Sequence, residues 1–245
     1  MLSETRIIAS DGRRRASAAF AVESDGSRQS KAERVYSGLK QAIVSGEFSP
    51  EAPIDKNELG ARFRVSRLSV TAAVNRLAYE RLVVIEPQRG SYVAKIRLSD
   101  ARQWMLVRRA LEMEVAVAAA RDLPDESIER LGRNLAYQRT ALDAGDVQGF
   151  HELDTLLHLQ MVEALGWGRV AEALDPVRTH LDRVRRTLLP EPGRMERTFA
   201  EHQEIYRAMA ARRPDEARDA MGRHLDQVLS HLETFVTRHP GFFEP

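Results

Sequence analysis

The chain has 245 residues, 43% of them hydrophobic and 30% charged, with a formal net charge of +1. Such a chain is long enough for two globular domains, and its apolar runs are far shorter than the roughly 20 residues that span a bilayer, which excludes a membrane-spanning protein. Cysteine is absent, so disulfides and thiolate zinc sites are excluded, and we expect a soluble protein compatible with a reducing cytoplasm.

The first 31 residues mix Arg, Ser, Ala, Gly and Asp without a hydrophobic period. We expect residues 1–31 to form a mostly disordered arm. Lys and Arg outnumber Asp and Glu by 6 to 4 in residues 1–31 and by 10 to 7 in residues 32–96, but are outnumbered by 21 to 25 in residues 97–245. A basic front and an acidic back favour a DNA-binding module at the N-terminal end.

Residues 32–96 contain the elements of a winged helix-turn-helix domain in order. Three helical patterns precede two β-rich runs, which predicts helices from 33 to Gly46, from 55 to 63 and from about 67 to 81, then strands over 82–85 and 91–96. Asp55 and Ser66 are suited to cap the second and third helices. This element order predicts contact with double-stranded DNA.

The third helix is the predicted recognition helix, because the first turn of such a helix faces base edges in the major groove. Arg67 is suited to bidentate contact with guanine, the serines beside it suit phosphate, and Arg89 at the hairpin tip could enter the minor groove. The candidate DNA-contacting residues are Ser66, Arg67, Ser69, Thr71, Arg89 and Gly90. The alternative is that these are surface residues of an ordinary helical bundle.

Residues 97–240 show a helical period interrupted by short Pro- or Gly-containing segments. The interruptions lie at 123–125, 145–146, 166–168, 189–193 and 213–215. Pro124 and Pro214 each precede acidic residues, a combination favoured in the first turn of a helix. The pattern predicts an all-α bundle of six or seven helices with no strand after Ile96. The predicted fold class is therefore mostly α.

Four side chains in the helical region form a candidate metal site. Asp154 and His158 are four residues apart on a helical stretch, so both project from one face. His202 and His224 lie on two later helices, and all four converge if those helices form the opposite wall of the bundle. Three imidazoles and one carboxylate suit Zn²⁺, with Ni²⁺ or Mn²⁺ as other candidates. Spacing alone also allows structural histidines that bind no metal.

The winged-helix segment resembles the N-terminal domain of the GntR family of bacterial transcription regulators. The resemblance rests on Val35-Tyr36, Ala42-Ile43-Val44-Ser45-Gly46-Glu47, Glu58-Leu59-Gly60-Ala61-Arg62-Phe63, Val65-Ser66-Arg67, Arg76-Leu77 and Arg89-Gly90-Ser91-Tyr92-Val93. Family members usually carry Thr-Pro-Val-Arg-Glu-Ala after the Ser-Arg pair, whereas this chain has Leu68-Ser69-Val70-Thr71-Ala72-Ala73. The resemblance implies a DNA-contacting arginine where Thr71 stands, so we expect an altered operator, with weak or lost binding as the alternative.

Residues 100–235 resemble the helical effector domain of the FadR subgroup, called FCD in its metal-binding form. The matching residues are Val107-Arg108, Leu111-Glu112, Phe150, Asp154, His158, Glu201-His202, Ile205, Ala208, Ala217, Ala220-Met221 and His224-Leu225. The resemblance implies that the four candidate ligands hold a metal. It does not use His151, which we expect to face solvent. It also implies that Arg108 faces the effector cavity and binds a carboxylate; a buried ion pair with Glu112 is the alternative.

Together these observations predict a transcription regulator, most simply a repressor, and not an enzyme. A homodimer would bind a palindromic operator, one recognition helix per half-site, and the helical domain would bind a small carboxylate effector at or near the metal. One alternative is a metal-dependent hydrolase, although the chain lacks His-Glu-x-x-His and Gly-x-Ser-x-Gly. Another is a regulator in which the metal is only structural.

Overall fold

The computed structural model describes residues 30–188, 192–238 and 243–244. The elements of this part of the chain are α1 (Lys31–Val44), α2 (Lys56–Phe63), α3 (Arg67–Tyr79), β1 (Val83–Glu86), β2 (Gly90–Val93), β3 (Ile96–Arg97), α4 (Leu98–Asp122), α5 (Asp125–Asp143), α6 (Val147–Ala164), α7 (Gly168–Leu188), α8 (Arg194–Ala210), α9 (Pro214–Arg238) and β4 (Phe243–Glu244). The mostly helical fold is confirmed. The predicted arm, residues 1–31, lies outside the described residues except for its last two positions.

Side-chain caps set where the first three helices begin. Asp55 and Ser66 cap α2 and α3 as predicted, each through an oxygen that accepts from backbone N–H groups of the first turn. Helix α1 begins at Lys31, earlier than predicted, because Ser30 Oγ accepts from the backbone N–H of Glu33 at 3.1 Å. Ser30 and Glu33 have the spacing of a capping box, a sequence signal that the prediction overlooked.

A small hydrophobic core joins the three N-terminal helices to the hairpin that follows them. Helix α3 lies between α1, α2 and β1, and it buries one face against them, formed by Val70, Ala73, Val74 and Leu77. Its opposite face is left to solvent, as the helical period requires. The exposed face of α3 is therefore available for contact with another molecule. Residues 30–94 are called the head below.

The wing is a two-stranded antiparallel hairpin whose register runs from Val83 opposite Val93 to Glu86 opposite Gly90. At the tip, Tyr92 Oη donates to the carbonyl oxygen of Arg89 at 2.8 Å and holds the turn against its own strand. Gly90 has φ +127°, a conformation that side chains other than glycine rarely adopt. The tip is thus fixed both by a hydrogen bond and by a glycine.

The six helices from α4 to α9 form one bundle around α4, in line with the predicted six or seven. Helix α4 packs against α6, α7, α8 and α9. Residues 115–120 of α4 are all buried, and they are valines and alanines that allow close approach of its neighbours. Within the part of the chain that the structure describes, no helix combines the length and apolarity needed to cross a bilayer.

A second, two-residue pairing connects the linker to the C-terminal end of the chain. Strands β3 and β4 are parallel, with Ile96 opposite Phe243 and Arg97 opposite Glu244. Arg97 Nε donates to Glu244 Oε2 at 2.8 Å, and Phe243 is buried beside Leu232. The expectation of no strand after Ile96 was therefore wrong. Two residues are too few to show a period of two, so only the distant partner strand reveals β4.

Candidate metal centre and nucleic-acid interface

The four predicted ligands come together inside the bundle. Asp154 and His158 lie on α6, His202 on α8 and His224 on α9, and one ligand atom from each lies within 4.8 Å of all the others. All four side chains are buried. Three separate helices thus direct nitrogen and oxygen donors at one point in the core.

The amphipathic pattern of α6 explains why two of these polar side chains point inward. The buried positions of this helix follow one stripe, which contains Phe150, Leu157 and Met161 as well as the two ligands. A position on this stripe faces the core whatever its side chain, because the phase of the helix is set by the apolar residues. Burial of a carboxylate and an imidazole there is costly unless both find partners.

Each imidazole has an oxygen of another residue close to its Nδ1, as a hydrogen bond for His202 and His224 and as an ion-pair contact for His158. An oxygen lies 2.8 Å from every Nδ1, in the pairs His158–Glu112, His202–Gln138 and His224–Glu201. Gln138 is itself oriented, because its Nε2 donates to Asn134 Oδ1 at 2.7 Å. With an oxygen on the Nδ1 side of each ring, Nε2 is the nitrogen that faces the cluster. The distances from Asp154 Oδ1 to Nε2 of His202 and His158 are 3.2 and 3.5 Å.

The charge states of the cluster suit a cation. Burial, together with the neighbouring imidazoles of His202 and His158, holds the pKa of His224 well below its usual range, so this ring is neutral and free to donate a lone pair. Burial by itself raises the pKa of Glu112, but the charges of Arg108 and His158 outweigh it and hold that pKa well below its usual range. Burial raises the pKa of Glu201 to about 7, against the charge of Arg194.

Buried nitrogen atoms in the cluster lack hydrogen-bond partners, which tests whether the site fits a metal ion. Among the described residues, Nε2 of His158 and Nε2 of His224 have no such partner. A buried polar atom without a partner costs about 1–3 kcal/mol, and a metal ion placed between these atoms would remove that cost. Three imidazole nitrogens and a carboxylate oxygen are a donor set typical of Zn²⁺ and also used by Ni²⁺ and Mn²⁺.

The predicted effector residue Arg108 has a partner already. Its side chain is 2% exposed, and its Nε donates to Glu112 Oε1 at 2.9 Å. This is the buried ion pair that the sequence left open as the alternative. Glu112 also contacts His158, so Arg108 is connected to the metal cluster through that carboxylate. Direct contact between Arg108 and an effector stays a prediction.

A second arginine, Arg178 on α7, was missed by the sequence analysis. Its Nε and Nη2 atoms are buried and have no hydrogen-bond partner among the described residues. Burial lowers its pKa, against the opposing charge of Glu112. The signal was present in the sequence: Arg178 follows Leu174 by four residues and precedes Leu181 by three, and both leucines are buried. A cation on that stripe faces the bundle interior.

The expectation that His151 faces solvent was wrong. The side chain is 3% exposed, and its Nε2 lies 3.8 Å from Asp182 Oδ1 on α7. His151 lies one residue after Phe150 on the buried stripe of α6, which is wide enough to include both. His151 is not one of the four residues of the metal cluster. It is therefore a buried histidine outside the proposed ligand set.

The predicted DNA-contacting residues fall on two exposed parts of the head. Ser66 Oγ caps α3 by accepting from the backbone N–H of Ser69, and the two hydroxyls lie 3.1 Å apart. Arg67 is exposed in the same turn, and Thr71 is half-buried one turn later. At the wing tip, beside Gly90, Arg89 is exposed and its Nη1 lies 3.0 Å from Glu86 Oε2. Contact with DNA by these residues stays a prediction.

Two family models match the chain, one over each part. The model described as FCD domain matches residues 103–227. The model described as bacterial regulatory proteins, gntR family, matches residues 31–93. The first match includes all four residues of the metal cluster, and the second includes α1, α2, α3 and the wing.

Curated relatives are similar over most of both chains. The HTH-type transcriptional repressor RspR of Escherichia coli (strain K12) is 31% identical over 211 residues, which are 86% of this chain and 92% of that protein. The HTH-type transcriptional regulator LutR of Bacillus subtilis (strain 168) is 27% identical over 227 residues, 82% of this chain and 98% of that one. A solved GntR transcriptional regulator from Rhodococcus sp. RHA1 has a TM-score of 0.71 at 22% identity, covering 84% of this chain and 99% of its own, which supports the fold.

Proposed function

The chain belongs to the GntR family of bacterial transcription regulators and carries the FCD domain, and from this premise we propose that a small carboxylate, bound beside a divalent metal ion, controls its affinity for a DNA operator. The protein is a DNA-binding transcription regulator and not an enzyme, as its relatives are. The hydrolase alternative thereby loses its support. A DNA-binding regulator of bacterial type acts in the cytoplasm, where the chromosome lies.

The observation that carries the proposal is the arrangement of the three imidazoles. Each ring has an oxygen partner at 2.8 Å on Nδ1 and turns Nε2 toward one common point, where Asp154 also lies. Partners of this kind fix the orientation of metal-binding histidines and raise their basicity. Buried structural histidines would have no reason to share one free direction. We assign Asp154, His158, His202 and His224 as the metal ligands.

A bound divalent ion would supply vacant coordination positions for carboxylate oxygens, with Zn²⁺ as the first candidate and Ni²⁺ or Mn²⁺ as others. The protein residues supply the rest of the recognition. Arg178 is half-buried, and two of its guanidinium nitrogens, Nε and Nη2, are buried and lack hydrogen-bond partners among the described residues. Arg108 is neutralised by Glu112 at 2.9 Å, so Arg178 is the better partner for an anionic effector. A carboxylate would satisfy it through charge-assisted hydrogen bonds.

Helix α7 provides a physical connection between the bundle interior and the head. It carries Arg178 on its inner side, and further along Arg183 Nη2 donates to the carbonyl oxygen of Ala94 at 2.7 Å. His180 on the same helix hydrogen-bonds the backbone of Glu80, which caps the C-terminal end of α3. An effector that draws Arg178 inward would favour one position of α7 and hence of the head, which is what control of DNA affinity requires.

We propose that this protein acts as a repressor, because its relative RspR is named a repressor. A homodimer would place two heads on a palindromic operator, with Ser66, Arg67 and Ser69 of each α3 at a half-site and Arg89 and Gly90 of each wing beside it. The effector would reduce operator affinity by favouring another head arrangement.

A thermal-shift screen tests the effector site. Small carboxylates are added to the metal-loaded protein, to the same protein after chelation, and to an Arg178→Gln variant that keeps a polar side chain but removes the charge. The proposal expects a compound whose shift disappears after chelation and falls sharply in Arg178→Gln, while the shift caused by metal alone persists in that variant. If the metal raises the melting temperature but no carboxylate adds to it, the metal is structural and the effector proposal fails.

A further inference from the structure

The exposed face of α3 carries a large apolar side chain. Leu68, in the first turn of the helix, is 79% exposed. The opposite face buries Val70 and Leu77 in the core of the head, so the helix phase gives Leu68 no place there. Single exposed leucines are ordinary on protein surfaces, and exposure alone therefore says little. What matters is the position of Leu68, beside Arg67 on the turn that a recognition helix inserts into the major groove.

Helix α3 has few charged side chains that could hydrogen-bond to base edges. The helix contains two arginines, and Arg76 is engaged: its Nη1 lies 2.7 Å from Glu33 Oε2, and its guanidinium carbon lies 3.5 Å from the centre of the Tyr36 ring. Arg67 has no ion-pair partner within the part of the chain that the structure describes. One arginine on α3 without an ion-pair partner can read one guanine, so further discrimination by this helix must come from its other side chains.

The residue one turn after Leu68 extends the same apolar strip. Ala72 follows Leu68 by four residues, which places the two side chains next to each other along the helix, and both are exposed. Ala72 is small enough to let the helix approach the floor of the groove. Thr71, between them in sequence, is half-buried and carries no charge. The surface that α3 offers to DNA thus includes an apolar strip, Leu68 and Ala72, beside Arg67.

The apolar feature of the major groove is the C5 methyl group of thymine. We infer that Leu68 is a specificity-determining residue, which packs on the methyl group of a thymine in each half-site beside the base pair read by Arg67. This inference rests on the operator binding proposed above and adds to it the base class that the chain's own recognition helix selects.

Deoxyuridine substitution tests this contact directly. Operators are first selected from a random duplex library with the full-length protein. Each thymine of the selected operator is then replaced singly by deoxyuridine, which keeps the base-pairing groups and the O4 acceptor and lacks only the methyl. At one thymine per half-site the wild-type protein should lose affinity about fourfold, the value of one buried methyl group. Leu68→Ala should bind the thymine operator more weakly and be indifferent to the methyl at that position.

Leu106→Ala is the matched control, since Leu106 is also an exposed leucine, 68% accessible, but lies on α4 away from α3. It should keep the wild-type response to deoxyuridine. The inference is overturned if no thymine position responds, or if Leu68→Ala keeps the wild-type response, because the methyl would then act through DNA shape. A library from which no sequence is enriched rejects operator binding itself, and the role of Leu68 with it.

Discussion

Loss of one of the four proposed metal ligands should abolish most of the stabilisation expected from bound metal. The perturbation is His224→Ala, which removes one of four donors that lie within 4.8 Å of one another. A ligand present at a thousandfold excess over its dissociation constant stabilises the native state by about 4 kcal/mol. For a protein of this size each kcal/mol changes the melting temperature by roughly 2–4 °C. The wild type should therefore lose about 8–16 °C on chelation.

The assay is thermal unfolding with and without a chelator, followed by return of Zn²⁺, Ni²⁺ or Mn²⁺. His224 is fully buried, so its removal also lowers the stability of the metal-free protein. The informative quantity is therefore the difference between loaded and chelated samples of the same variant, which should fall to a few degrees. His151→Ala is the matched control, because His151 is a buried imidazole on α6 outside the cluster, and it should keep the full difference.

Two results would refute this reasoning. The first is a His224→Ala protein whose melting temperature still responds to chelation as the wild type does. The second is a His151→Ala protein whose melting temperature no longer responds to chelation. That result would make His151 a metal ligand, although it lies outside the four-residue cluster. Metal content measured on the same samples separates a weakened site from an occupied site that contributes no stability.

Further predictions concern the second partners, the head and the C-terminal pairing. Gln138→Ala removes the oxygen that lies 2.8 Å from His202 Nδ1, while all four proposed ligands remain. Metal affinity, measured by titration against a competing chelator, should fall about 10–100-fold. An unchanged affinity would contradict the orienting role of Gln138. Ser66→Ala removes the cap of α3 and should lower the free energy of unfolding, measured by urea denaturation, by about 1 kcal/mol. Operator affinity should fall as well. Equal stability would mean that the cap is dispensable. Phe243→Ala should destabilise the pairing of β4 with β3. Amide hydrogen exchange at Ile96 and Arg97 should then become faster, while the response of the melting temperature to metal stays the same. Unchanged exchange would show that the pairing does not hold the linker.

The sequence predicted the elements because their signals are local. Asp55 and Ser66 cap their helices within three residues of their own positions, and the apolar period of α3 fixes which face it buries. The order of three helices and a hairpin then predicts the winged helix-turn-helix. Where local signals were overlooked, as with the capping box of Ser30 and Glu33, the predicted boundary moved by two residues.

The candidate metal ligands were predictable for two different reasons. The spacing of Asp154 and His158 places both on one helix face, which is a local property. The inclusion of His202 and His224 depended on resemblance to a family, because spacing alone leaves the positions of α8 and α9 relative to α6 undetermined. Their convergence within 4.8 Å is a property of how three helices pack.

Only the tertiary structure decided the partners of these residues. The oxygen beside each imidazole comes from another helix, as Gln138 does for His202 across 64 residues of sequence. Arg108 and Glu112 are four residues apart on α4, so local spacing already allows their ion pair, and only its burial depends on the packing of other helices. Strand β4 is defined by its pairing with β3, in which Arg97 lies opposite Glu244 across 147 residues of sequence. Periodicity and capping act within a turn or two of helix, so they determine the elements and their inward faces; which inward groups meet depends on the packing of distant segments, which no local pattern encodes.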